Sequence, residues 1–159
     1  MSSPAKYSKP QIALHWGMAL LFFVSFVSHE GMKDAWRALV RTGEPAMSVG
    51  AAVHVWVGVL LLGLVAVRIV TRLLKGAPQP VETGNKLVDL SAKIAHLALY
   101  GVMILVPLSG AMAWFGGVRD ASEVHEVMFT LGLALVGVHI VAAVYHQFIL
   151  KDGLMQRMR

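Results

Sequence analysis

Apolar residues fall into four long runs, each flanked by polar or basic positions. The runs cover roughly 11–28, 49–70, 94–115 and 127–150. None shows the two-residue alternation of a half-buried strand, and each is about the ~20 residues that an apolar helix needs to cross a bilayer. In lipid only helices and closed barrels satisfy every backbone hydrogen bond, so the pattern predicts four membrane-spanning helices. Pro107 lies inside the third run and should bend it. Trp16, Trp36, Trp56 and Trp114 fall near run ends or in a loop, where an interfacial aromatic belt is placed. The expectation is an all-α, integral membrane four-helix bundle, a single domain over residues 1–159.

Basic residues orient the bundle. Lys6 and Lys9, the second connection with Arg68, Arg72, Lys75, Lys86 and Lys93, and the tail with Lys151, Arg157 and Arg159 supply ten. The first and third connections supply four, Lys33, Arg37, Arg41 and Arg119. The positive-inside rule then puts both termini in the cytoplasm. Gly76, Pro78, Pro80 and Gly84 mark the second connection as irregular. The first apolar run has no small-residue cleavage site and is not read as a secretory signal.

Composition narrows the chemistry. Hydrophobic residues make up 57% of the 159 and charged residues only 14%, too little charge to cover a soluble surface. There is no cysteine, which excludes disulfides, thiolate-held iron–sulfur clusters and covalent haem attachment. The net charge of +5 forms no polybasic stripe, so anionic lipid and not nucleic acid is the expected partner.

The remaining chemistry lies in seven histidines. His125 and His139 are fourteen residues apart in one run. That is almost four helical turns, so both rings leave one face, ~21 Å apart along the axis. The topology gives the others a depth. His54 and His125 lie towards the outside on different helices, and His15 and His139 towards the cytoplasm. His96 opens the third run on the cytoplasmic side, His146 lies at the cytoplasmic edge, and His29 ends the first run outside. Intramembrane histidines are costly and mark function. Histidines paired across a bundle point to bis-histidine haem. The run interiors contain no Asp or Glu, which disfavours a carboxylate metal site or an acidic proton relay. By depth alone, His139 and His146 both remain available to His15.

Gly132 lies midway between His125 and His139, and Gly58 one turn after His54. Each gives clearance either for a flat cofactor or for ordinary helix packing. Arg72 reads as an interfacial anchor. Arg68 is deeper and suits a haem propionate; Arg37, Arg41 and Arg119 are weaker propionate candidates outside.

These residues resemble the bacterial cytochrome b561 family, small four-span dihaem membrane proteins, over nearly the whole chain. The resemblance rests on Lys6-Tyr7-Ser8, Ile12-Ala13-Leu14-His15-Trp16, His54 with Gly58, Arg68-x-x-x-Arg72, His96-Leu97 with Tyr100, Pro107-x-x-Gly110, His125-Glu126, Gly137-Val138-His139 and His146. It implies two haem b groups, the cytoplasmic one on His15 and His139 and the outer one on His54 and His125. It moves His146, with His96, to a quinone pocket near the cytoplasmic haem. It implies a multi-pass protein of the bacterial inner membrane that exchanges electrons with ubiquinone. The outer donor is superoxide if the protein works alone as an oxidoreductase. The alternatives are a cytochrome b subunit serving a hydrogenase- or dehydrogenase-type redox protein and, in a different class, a histidine-based transporter or metal-handling protein without haem.

Overall fold

The structure, a computed structural model, describes residues 6–79 and 85–159. Pro80 and Gly84 of the second connection lie outside that range. Four long helices dominate, α1 (Lys9–Thr42), α2 (Val49–Lys75), α3 (Lys86–Gly116) and α4 (Arg119–Tyr145), and the described residues contain no strand. All four are long and apolar enough to cross a membrane. A π-helical turn (His146–Leu150) prolongs α4, and a short 3-10 helix (Leu154–Met158) closes the chain.

The helices outrun the apolar stretches that announce them. An ideal helix as long as α1 extends ~51 Å, well past the ~30 Å hydrocarbon layer. The apolar run measures contact with lipid, whereas the helix ends where capping ends it. At the start of α1, Gln11 Oε1 accepts from the Ser8 N–H (3.0 Å) and the Ser8 hydroxyl (2.9 Å). The helix stops at Gly43, which takes the left-handed φ of 80° and returns its N–H to the Leu39 carbonyl. Lys33, Arg37 and Arg41 therefore belong to α1 itself and not to a connection. The Ser48 hydroxyl caps α2 by accepting from the Ala51 N–H, and the Asn85 side chain caps α3 by accepting from Leu87 N–H.

The bundle is two hairpins. The closest backbone packing is α1 on α2 and α3 on α4, with a smaller α2–α3 interface. At the α1–α2 contact a Cβ on Gly31 would stand 3.0 Å from the Ala51 backbone nitrogen, so glycine sets that approach. Buried positions are few and mostly small: Ala35, Ala51, Val65, Val102, Ala113 and Ala121, joined by Met18 and Phe129. Large apolar side chains such as Leu20, Phe23, Leu60, Val67 and Ile140 face outwards, as lipid contact requires.

Three distant segments meet at one end of the bundle. Gln11 Nε2 donates to the Gly76 carbonyl (2.8 Å), and Arg157 Nη1 donates to that of Gln79 (2.6 Å). Trp16 Nε1 donates to the Met158 carbonyl (3.1 Å), and the Tyr7 N–H to that of Arg157 (3.2 Å). The start of α1, the α2–α3 connection and the C-terminal helix thus form one cap, here called the terminal end. Ten of the fourteen Lys and Arg residues lie in or beside these segments, five of them in the adjoining parts of α2 and α3.

Candidate functional site

Six of the seven histidines fall into two tiers of three. The distal tier has His29 from α1, His54 from α2 and His125 from α4. Its ring centroids are 6.2 Å apart for His54–His125 and 5.8 Å for His29–His54. The terminal tier has His15 from α1, His96 from α3 and His139 from α4. Its centroids are 6.2 Å apart for His15–His139 and 6.0 Å for His96–His139. The tiers arise because His15 and His29 are fourteen residues apart on α1, as His125 and His139 are on α4. The α4 spacing was recognised from sequence; the same spacing on α1 was the available signal for His29.

In the distal tier all four helices take part. His125 Nδ1 bonds the Val106 carbonyl on α3 (2.7 Å), and His54 Nδ1 bonds the Ser25 carbonyl on α1 (3.0 Å). A carbonyl only accepts, so each Nδ1 is the protonated nitrogen and each Nε2 keeps a free lone pair. A carbonyl on Nδ1 is the kind of contact that orients metal-ligating imidazoles. Gly110 makes it possible, because a Cβ there would stand 2.9 Å from His125 Nδ1. In the sequence Gly110 stands only as the end of the Pro107-x-x-Gly110 motif, with no partner to identify its role.

Phe129, one turn beyond His125, is buried between the tiers. It stacks on His29 (5.5 Å) and Phe26 (6.3 Å) and contacts Phe22 (6.0 Å). Aromatic rings of α1 and α4 thus pack against His29 of the distal tier.

In the terminal tier His96 Nδ1 bonds the Ala92 carbonyl of its own helix (2.7 Å). Arg68 lies within electrostatic reach of His15 and His139. Its guanidinium and that of Arg72 both sit against the Tyr100 ring, 5.9 and 5.7 Å from its centroid, so one aromatic side chain holds two cations. His146 stands apart from the tier, with Nδ1 2.5 Å from Asp152 Oδ2. On the distal side Arg37 pairs with Asp34 (3.2 Å) and, with Trp36 and Arg41, lines a groove of about 530 Å³ that contains no histidine.

The tiers fit haem better than a bare ion. Two imidazoles ligating one iron from opposite faces at ~2 Å bring their centroids ~6 Å apart. Both His54–His125 and His15–His139 have that separation. In each of these pairs one histidine comes from each hairpin, and α4 meets α1 and α2 through side chains more than by close backbone packing. A Cβ on Gly58 would meet nothing within 4 Å, so the space one turn beyond His54 on α2 is open. At Gly132 a Cβ would stand 3.8 Å from Val102 of α3, an ordinary contact, so this part of α4 faces α3. Among the described residues no group of three or more His, Asp or Glu side chains is placed to hold a metal ion.

Comparison with known proteins points the same way. A family model described as prokaryotic cytochrome b561 matches residues 6–159. The chain is 38% identical to a cytochrome b562 of Cereibacter sphaeroides over 99% of this chain and 98% of that one. It is 26% identical to a probable superoxide oxidase, CybB, of Yersinia pestis, over 96% and 95% of the two chains. It is 23% identical to cytochrome b561 homolog 2 of Escherichia coli K12, over 99% and 93%.

Proposed function

Starting from the fact that this chain belongs to the prokaryotic cytochrome b561 family, and is thus a membrane haem protein of electron transfer, we propose that it binds two haem b groups and passes electrons between the two membrane surfaces. The observation that supports this best is the pair of 6.2 Å histidine contacts on α4, one at His125 and one at His139. Haem b bound there supplies a one-electron ferric–ferrous couple, whose potential the ligands, burial and nearby charge adjust.

In this reading His54 and His125 ligate the distal haem, and His15 and His139 the terminal one. The choice of His15 over His96 has a physical argument. His96 and His139 sit on α3 and α4, which pack closely, whereas His15 faces His139 across the looser boundary between hairpins. Arg68 supplies the cation for a propionate of the terminal haem. His146 and His96 border the ubiquinone headgroup at the same end.

The basic residues of the terminal end favour a cytoplasmic location for it, with both termini inside and the chain in the bacterial inner membrane. Residues 1–159 then act as one unit. The name of the Yersinia pestis relative supports superoxide as the donor at the distal face, with ubiquinone the acceptor. Acting alone, the protein would be an oxidoreductase.

The test is a haem assay on purified protein from haem-replete cells, with reduced-minus-oxidised spectra. Two b-type haems per chain are expected, reduced by superoxide and reoxidised by ubiquinone. One haem or none overturns the dihaem reading. Reduction only by a copurifying protein, with no response to superoxide, transfers the protein to the cytochrome b subunit class.

A further inference from the structure

The chain does not simply run out after α4. From His146 the helix widens into a π-helical turn, a departure that recurs at functional sites. Lys151 then takes the left-handed φ of 51° and Gly153 that of 76°, which turns the backbone back on itself. Between them sits Asp152, whose carboxylate has two partners: Oδ2 bonds His146 Nδ1, and Oδ1 accepts from the Leu154 N–H (3.0 Å). The side chains keep 19% exposure for His146 and 22% for Asp152, at the exposed end of the bundle. The 3-10 helix that follows is anchored by Trp16 at Met158, by Tyr7 at the Arg157 carbonyl and by Arg157 at Gln79. Asp152 is therefore held from both sides, and it holds His146 in turn.

We infer that Asp152 is a positioning residue that fixes His146 with Nδ1 protonated and Nε2 turned away from the carboxylate, towards the quinone headgroup. This rests on the ubiquinone reading above and adds a second residue to it. A carboxylate only accepts hydrogen bonds, so it selects one tautomer of the imidazole. Reduction of a quinone to a quinol takes two electrons and two protons. Haem b held by the histidine pairs would supply the electrons one at a time. One proton passes from Nε2–H of the His146 imidazolium to the nearer carbonyl oxygen, and water at the terminal end supplies the other. The same water reprotonates His146. Asp152 keeps its charge throughout and touches neither the quinone nor the haem.

The experiment uses full-length holoprotein, reduced anaerobically and mixed with ubiquinone-1 in a stopped-flow instrument, with D152N, H146Q and the double variant. An Asn at 152 still accepts from the Leu154 N–H, but its amide presents a donor to His146 and so favours the wrong tautomer. D152N should keep both haems and slow kcat for reoxidation at least tenfold, with KM within twofold. H146Q should do the same, and the double variant should be no slower than H146Q. A wild-type rate in D152N overturns the inference, because it reveals only the cap on Leu154. So does loss of haem in D152N, or multiplication of the two effects in the double variant. Wild-type protein that ubiquinone-1 cannot reoxidise overturns the quinone reading itself, and this inference with it.

Discussion

Gly110 on α3 faces the imidazole of His125 on α4 so closely that no side chain fits between them: a Cβ would lie 2.9 Å from Nδ1. The ring cannot retreat without lengthening its bond to the Val106 carbonyl, which is worth about 1 kcal/mol. G110A should therefore loosen the distal haem and leave the terminal one in place. The measurement is haem per chain with reduced-minus-oxidised spectra of purified protein. About half the wild-type haem is expected, and a full complement with unchanged spectra refutes the contact's importance.

The terminal tier offers His139 two neighbours at nearly equal distance, His15 and His96. H15A should remove one haem of two, as H139A should. H96A should retain both and change only the reaction with quinone. Loss of one haem in H96A together with retention in H15A would exchange the two residues' roles.

Arg68 brings a positive charge close to His15 and His139. A nearby cation favours the less positive ferrous state. R68Q should lower the midpoint potential of the terminal haem, on the order of a tenfold shift in its oxidised-to-reduced ratio, or ~59 mV for one electron. A redox titration resolves the two haems, and an equal shift in both would place the effect elsewhere than at the terminal site.

Burial works to raise the Asp152 pKa, but the hydrogen bonds from His146 and from the Leu154 N–H outweigh it and hold the carboxyl below its ordinary 3.8. A depressed carboxylate contributes stability that is fully present above the unfolded value and is lost as pH falls through the lower, folded one. The C-terminal cap should therefore stay closed through neutral and mildly acidic pH and open only below pH ~3.8. Amide exchange at Leu154 across a pH series, corrected for intrinsic rates, should show protection lost in that window. Loss already at pH 6 contradicts the assignment. D152A should abolish the protection at every pH.

Hydropathy was enough to locate four helices, because apolar length is what a bilayer demands of a span. It said little about where they end. Thr42 closes α1 for a local reason, the left-handed Gly43 behind it, and the preceding turns are amphipathic and invisible to a search for apolar runs. The α4 histidines were legible because helical spacing is a property of one element. The roles of Gly110 and of the Val106 and Ser25 carbonyls were not, since each depends on which helix lies opposite. Gly132 is open to two readings in the sequence, and only the fold supplies its neighbour on α3, Val102, 3.8 Å from where a Cβ would stand.

The two-hairpin construction bears on how the protein is made. The packing of α1 on α2 and of α3 on α4 is closer than the α2–α3 interface that joins the halves. Each proposed ligand pair takes one histidine from each half, so haem arrives as the fastener between two units already threaded into the membrane. Whatever binds the finished state alone shifts assembly towards it. Haem supply would then set the amount of intact protein as well as its redox capacity. A cell short of haem would hold two inserted hairpins and no conducting path between its membrane faces.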